Sequence, residues 1–482
     1  MEWRLPPSQR SGFEKSAKNA VSWVANVKST PLACDRFAPY NCTMRRMHIN
    51  LFIQSRGHHE AAWRHPKSSP LPLTDIRYTI DLAQRAEASL FDSIFLADVL
   101  GLWNDVENTP FNWLEPITAL AAVAMATNRI GLIATCSTTY TEPYNLARQF
   151  ASLDHISRGR VGWNIVTTWS PQAASNFGTI GQVSHADRYV RAEDFMTVVR
   201  GLWDSWADDA VLDDRTNGRY ADRKRVRALD HRGPYYQVLG PLNLPRSPQG
   251  RPVFVQAGSS DTGKQFAARH AEAVFTAHLE KTTAQAFYTE LKQLIAIEGR
   301  HPEQVLILPG LNPIIGSTEA EAERYAQSLD ELSDPEVGRN RLSQRFGGHD
   351  FSHLALDTPL SPADFPDPSK NEASRSRTEA VVALVARERP TLRQLLAKLA
   401  GARGHFTVAG PPEKIADVMQ DWFENGAADG FNLMPPVLPH QLDLFASEVV
   451  PLLQKRGLFR HAYEGETLRS HFGLSRPAVK FG

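Results

Sequence analysis

The segment Val253-Phe-Val-Gln-Ala-Gly-Ser-Ser-Asp261 carries an apolar, β-branched run into a small-residue turn, and Thr262 to Glu272 continues with helical periodicity. A helix start of this kind presents free backbone N–H groups and a positive dipole end, which suits a phosphate. The same residues also suit a Ser N-cap with Gly easing a tight turn. The turn alone leaves both possibilities open. Other apolar runs end in polar groups too: Gln54 and His58-His59, Asp98, Thr135 to Tyr140, then Asn164, Thr167 and Thr168, and finally Gly258, Ser259 and Ser260. These are neutral hydrogen-bonding groups with one early carboxylate. They fit an uncharged polar ring and a phosphate better than a metal. Asn164 is hard to treat as packing, because Asn is depleted in strands and a buried amide needs partners. Asp98 serves equally as a helix cap, and Thr135 and Ser137, on one strand face, equally as packed hydroxyls. His185 and Tyr189 are four apart and share a face if their segment is helical.

The elements that position these residues alternate. Strands are expected at 48–54, 93–97, 130–135, 161–167, 252–256, 272–276, 305–315 and 430–434. Amphipathic helices are expected between them, at 75–88, 113–126, 144–156, 192–203, 284–298, from 318, at 412–425 and at 442–455. Eight such units predict a (β/α)8 TIM barrel, with an open doubly wound sheet as the alternative. No GxGxxG follows any strand, which weighs against the open sheet. Two aperiodic insertions, about 205–250 and 332–410, follow strands four and seven; the second holds one helix near 391–400. Residues 1–43, rich in Pro, Ser and Lys, are expected to be an N-terminal extension, either disordered or an over-extended start. The barrel is expected over 44–464 and a C-terminal tail over 465–482.

Composition removes several function classes. Lys+Arg and Asp+Glu both number 53, so no net field draws the chain to nucleic acid or anionic membrane. Three cysteines without CxxC spacing argue for a reducing compartment and against a zinc site. The most apolar window, 117–136, is broken by Asn128-Arg129, so no membrane span is expected. Gly-x-Ser-x-Gly, HExxH and Walker motifs are missing, and Cys136 lacks an evident base.

An ordered set of motifs carries a family likeness. These are Trp63-Arg-His-Pro66, Phe95-Leu-Ala-Asp98, Leu114-Glu-Pro116, Thr138-Thr-Tyr-Thr-Glu-Pro-Tyr144, Ala151-Ser-Leu-Asp-His155 and Gly162-Trp-Asn-Ile-Val-Thr167. Asp187-Arg-Tyr189, Arg191-Ala-Glu193, Gly240-Pro-Leu-Asn-Leu-Pro245, Gln256-Ala-Gly-Ser-Ser260, Gly430-Phe-Asn-Leu-Met434, Arg456-Gly-Leu-Phe459 and Tyr463-Glu-Gly465 follow. From about Met47 to about Leu474 the chain resembles the flavin-dependent monooxygenases that act on nitrilotriacetate, dibenzothiophene sulfone and pristinamycin precursors, within the bacterial-luciferase-like superfamily.

The resemblance implies a luciferase-like barrel that takes reduced FMN from a separate flavin reductase and uses O2. A C4a-(hydro)peroxyflavin then oxygenates a small organic substrate at a C–N, C–S or C–H bond. It places Asp98, Thr135, His185, Tyr189 and Ser260 on FMN-contacting positions, with Ser259 beside them and Ser137 and Asn164 near the ring. The commonest barrel habit puts phosphate after strands seven and eight, whereas here the phosphate turn follows strand five. His58 and His405 are expected to shape the substrate mouth as the catalytic candidates. No metal is implied. A homodimer or homotetramer in the cytoplasm is expected. The alternatives are a deazaflavin-dependent hydride-transfer enzyme of the same superfamily and a non-catalytic flavin-binding protein.

Overall fold

In a computed structural model, the structure describes residues 45–479 apart from 103–105, 109, 111–113, 169, 179–183, 369–374 and 403. The lead segment therefore lies outside the described residues, as do Cys34 and Cys42. Eight parallel strands close on themselves: β1 (His48–Ile53), β2 (Ser93–Leu96), β3 (Gly131–Ser137), β4 (Val161–Val166), β9 (Val253–Gln256), β10 (Ala273–Thr276), β11 (Leu306–Ile315) and β13 (Gly430–Leu433). Closure comes from β10 pairing with β11, β11 with β13, and β13 with β1. The strands read as continuous apolar runs because both faces are covered, by the interior on one side and by helices on the other. Two antiparallel hairpins, β5 (Val211–Asp214) with β6 (Arg219–Ala221) and β7 (His231–Arg232) with β8 (Gln237–Val238), occupy the first insertion.

Alternate residues point inward and fill the barrel in layers. Phe52, Phe95, Ile133, Val255, Phe275, Leu308 and Met434 form one interior cluster. Asn50, Ser93 and Asn432 add a polar layer: Ser93 Oγ donates to Asn50 Oδ1 at 2.8 Å, and Asn50 Nδ2 donates to Asn432 Oδ1 at 3.1 Å. The short C-terminal helix Leu468–His471 closes the N-terminal end of the barrel. Leu468 is fully buried there, against the space left by Gly131 and Gly162; a side chain at either glycine would press on its methyl groups.

The second insertion departs from expectation. It carries three helices, Pro335–Arg345, Arg375–Glu388 and Leu392–Ala402, with a separate apolar core that includes Phe346, Phe351, Phe365, Val385 and Leu395. Helix Pro335–Arg345 escapes a periodicity reading because nearly every face is polar; it buries only Leu342 and Arg339. The insertion ends in β12 (Phe406–Gly410), a ninth strand that pairs with the outer half of β11. Helix His185–Trp203 also starts earlier than expected, capped by Ser184, whose side chain accepts from Asp187 N.

Candidate functional site

The turn after β9 and helix Asp261–His270 build a cradle. Ser260 caps the helix, its Oγ accepting from Gly263 N at 3.1 Å. The Tyr189 hydroxyl, delivered by helix His185–Trp203, hydrogen-bonds Ser260 and Thr167; burial raises its pKa. A Cβ added at Gly258 would lie 3.1 Å from Gly263 Cα and 3.2 Å from the Tyr189 hydroxyl. One added at Gly263 would lie 3.1 Å from Ser260 Oγ and from the same hydroxyl. Both glycines therefore keep a small space open beside a helix N-terminus. Ser259 and Ser260 are exposed, so the space can be entered from solvent. These features suit a phosphate that binds backbone N–H groups. Lys264, one turn into the helix, is held by Asp261 and Glu290.

Next to the cradle, β3 and β4 present a buried polar edge. Thr135 pairs in register with Asn164. Asn164 Nδ2 donates to Thr135 Oγ1 at 2.9 Å, and Thr135 in turn donates to Leu96 O at 2.9 Å. Asn164 Oδ1 is buried with no hydrogen-bond partner, and so are Thr139 Oγ1 and Gln256 Oε1. Unsatisfied buried acceptors are costly and call for a donor from a ligand. Ser137 lies in the same zone, but its hydroxyl already accepts from Thr139 N at 3.1 Å and from Thr168 Oγ1 at 2.8 Å. Thr135 and Ser137 thus combine a packed role with a place at the edge. Asp98 caps no helix. Its Oδ1 accepts from Val99 N at 2.9 Å, while Glu115 caps the next helix. Burial raises the pKa of Asp98, and Glu115 adds to the rise.

Inside the barrel, rings of Phe52, Phe95 and Phe275 touch one another at centroid distances of 4.6 to 5.9 Å. His58 lies tilted on Phe52 at 4.6 Å, and His405 stacks flat on Phe275 at 5.0 Å and 3°. His58 Nε2 lies 2.9 Å from Phe52 O. A carbonyl only accepts, so Nε2 carries the hydrogen and the tautomer is set. His59 is engaged elsewhere: its Nδ1 accepts from Ala61 N, and its Nε2 faces Asp330 at 3.4 Å. Asn312 donates to Gly401 O and so fixes the segment that delivers His405.

The structure thus brings Ser259, Ser260 and Tyr189 together, and places Thr135, Ser137 and Asn164 together on the neighbouring strands. His58 and His405, both buried, pack on the touching rings of Phe52 and Phe275. The His185 side chain lies outside the described residues. Thr139 and Gln256 stood in the sequence only as members of a strand end and a motif, and Gly263 was given no role. A Gln ending a buried strand and a Gly inside the first helical turn, where it costs helix propensity, were the available signals. Burial pushes the Cys136 thiol up to about 11, which removes it as a nucleophile. Among the described residues no cluster of His, Cys, Asp or Glu could hold a metal. No described helix is long and apolar enough to cross a membrane.

A closed parallel barrel whose C-terminal mouth joins an open helix N-terminus to a buried polar edge has the build of a cofactor-binding barrel. Residues 47–429 match the family model of luciferase-like monooxygenases. The chain is 44% identical over 437 residues to N-acetyl-S-(2-succino)cysteine monooxygenase of Bacillus subtilis, covering 91% of this chain and 98% of that protein. It is also 44% identical to nitrilotriacetate monooxygenase component A of Aminobacter aminovorans, covering 90% and 97%. A riboflavin lyase solved with modified FMN and riboflavin superposes with a TM-score of 0.80 at 33% identity, covering 90% of this chain and 97% of that one. The chain belongs to the luciferase-like monooxygenase family and is a flavin-dependent monooxygenase.

Proposed function

We propose that the flavin is FMN, bound reduced after delivery by a separate flavin reductase, and that O2 is the co-substrate. The observation that carries this reading is the Gly258–Gly263 cradle under the Tyr189 hydroxyl, shaped for a single phosphate. The chain's own groups divide the work. Ser259, Ser260 and Tyr189 hold the phosphate, with helix Asp261–His270 supplying N–H groups and dipole. Asn164 Oδ1 accepts from a ring N–H, and Thr135 fixes the Asn164 amide so that this oxygen faces the ligand. Asp98 and Ser137 border the ring, and His185 falls beside the phosphate by family position.

Bound reduced FMN supplies the electrons with which O2 is cleaved, one oxygen entering the substrate at a C–N, C–S or C–H bond and the other leaving as water. Phe52, Phe95 and Phe275 keep that region dry. His58, with its hydrogen fixed on Nε2, and His405, held flat on Phe275, shape the substrate mouth. The names of the two curated relatives make small molecules with a C–S or C–N bond the first substrates to try. We place the enzyme in the cytoplasm as a homodimer or homotetramer, with residues 1–43 an N-terminal extension.

The test is a coupled reaction. Purified chain, an FMN reductase, NADH and labelled O2 are supplied with N-acetyl-S-(2-succino)cysteine or nitrilotriacetate, and products are read by mass spectrometry. One labelled oxygen per product is expected. Tight reduced-FMN binding with no oxygen transfer to any of a substrate panel would make the chain a flavin-binding protein. Preference for a deazaflavin over FMN in parallel titrations would move it to hydride transfer.

A further inference from the structure

At the opposite end of the barrel lies a charge imbalance that the flavin site does not use. Arg251 precedes β9 and Glu272 precedes β10, so both sit at the N-terminal face. The guanidiniums of Arg200, Arg251, Arg300 and Arg469 all act on the single carboxylate of Glu272. Two of them are occupied. Arg469 holds Glu272 with bonds of 2.6 and 3.1 Å. Arg300 donates to Ala268 O and Ala271 O, closing the end of helix Asp261–His270.

Arg200 and Arg251 are different. Each lies over the Phe254 ring, at 5.2 and 5.3 Å from its centroid. Neither donates a hydrogen bond to any described residue; Arg251 approaches only Asp204, at 4.0 Å, and Asp204 already takes Arg246 at 3.2 Å. The Nε of each is buried without an acceptor, while the side chains keep a minority of their surface in solvent. A guanidinium carries five donors in a fixed fork, and here the Nε–H of each of two forks over one ring is buried without an acceptor, which is costly. Burial first, then repulsion from Arg251 and Arg300 against the pull of Glu272 and Glu193, brings the Arg200 pKa down to about 10. An oxyanion with several acceptor atoms would satisfy both forks together.

We propose that Arg200 and Arg251 form a binding site for a small divalent oxyanion, sulfate or phosphate, on the N-terminal face of the barrel. The ligand bridges helix His185–Trp203 and the Arg251 segment, beside the C-terminal tail that Arg469 anchors. Its occupancy therefore sets the rigidity of the barrel floor and not the chemistry at the mouth.

Isothermal titration of the full chain with sodium sulfate and with inorganic phosphate tests this, in saturating FMN so that the flavin phosphate cradle is already filled. One saturable site per chain is expected, with affinity at least tenfold weaker in Arg200→Gln and in Arg251→Gln. Arg215→Gln, at an exposed arginine of the β5–β6 hairpin, should bind as the wild type does. Saturation by only one of the two anions identifies the ligand. No saturable binding to the wild type, or undiminished binding in both variants, overturns the proposal. Should a variant fail to fold, wild-type melting at constant ionic strength decides: a saturable rise with sulfate over chloride upholds the site, and coincident curves remove it.

Discussion

Replacing Ser260 with Asp separates capping from phosphate holding, two roles that the same turn supports. Aspartate caps a helix about as well as serine, so the bond to Gly263 N survives and stability should change by no more than ~0.5 kcal/mol. On the proposed function, the FMN phosphate would meet a carboxylate in place of a hydroxyl. Two unit charges ~4 Å apart interact by about 1 kcal/mol in water and about 4 kcal/mol at intermediate screening. Ser260 is exposed, which favours the lower part of that range. A loss of about 1–3 kcal/mol is expected, or roughly 5- to 150-fold in Kd. The assay is flavin-fluorescence titration with FMN and with riboflavin, which lacks the phosphate. Ser260→Asp should weaken FMN and spare riboflavin, with an unchanged melting curve for the flavin-free protein. Unchanged FMN affinity would reduce the turn to a cap. An equal loss for both flavins would place the effect at the ring and refute the cradle.

Asn164→Leu should show the complementary pattern. It removes the buried Oδ1 acceptor, so FMN and riboflavin should weaken together by about 1–3 kcal/mol, their ratio unchanged in the same titrations. Leu468→Ala withdraws the side chain that fills the space left by Gly131 and Gly162, and a cavity of this kind costs about 2–5 kcal/mol. The melting temperature should fall while FMN affinity, set at the other end of the barrel, stays within twofold. Burial lowers the pKa of His471 from 6.5 to about 4. The unfolded chain binds that proton first, so stability is complete above pH ~6.5 and is lost as pH falls toward 4, by up to about 1.4 kcal/mol per pH unit. Denaturant titrations across pH 4 to 7 should show a shallower decline in His471→Gln; an identical slope would assign the acid sensitivity to other groups.

The eight barrel strands were legible because a parallel strand covered on both faces is an unbroken apolar run, and the β3 and β4 residues Thr135 and Asn164 stood out against such runs. Ser260 and Tyr189 were legible through the turn that follows β9 and the motif around Tyr189. What escaped had no local signature. β12 exists because β11 runs beyond the barrel, through Leu311–Ile315, and offers an edge. Helix Pro335–Arg345 has no apolar stripe, and it is held in place through Leu342 in the insertion's own core. Gly263 reads from sequence as a weak helical residue, and only the approach of Gly258 and the Tyr189 hydroxyl shows why nothing larger fits there.

The two ends of the barrel leave different buried polar groups unpaired. At the C-terminal mouth the unsatisfied groups are acceptors: Asn164 Oδ1, Thr139 Oγ1 and Gln256 Oε1. At the N-terminal face they include donors, the Nε atoms of Arg200 and Arg251. A ring with N–H groups answers the first set and an oxyanion the second, so the two ends do not compete for one ligand. The mouth pairs those acceptors with a helix N-terminus, which lets one cofactor present a donor edge and an anionic tail. The lower face sits among Leu468, Phe472 and the Arg469–Glu272 pair, where a filled site adds rigidity without touching chemistry. Variants of Arg200 or Arg251 should therefore alter melting and leave flavin selectivity alone, whereas variants of Ser260 or Asn164 should do the reverse.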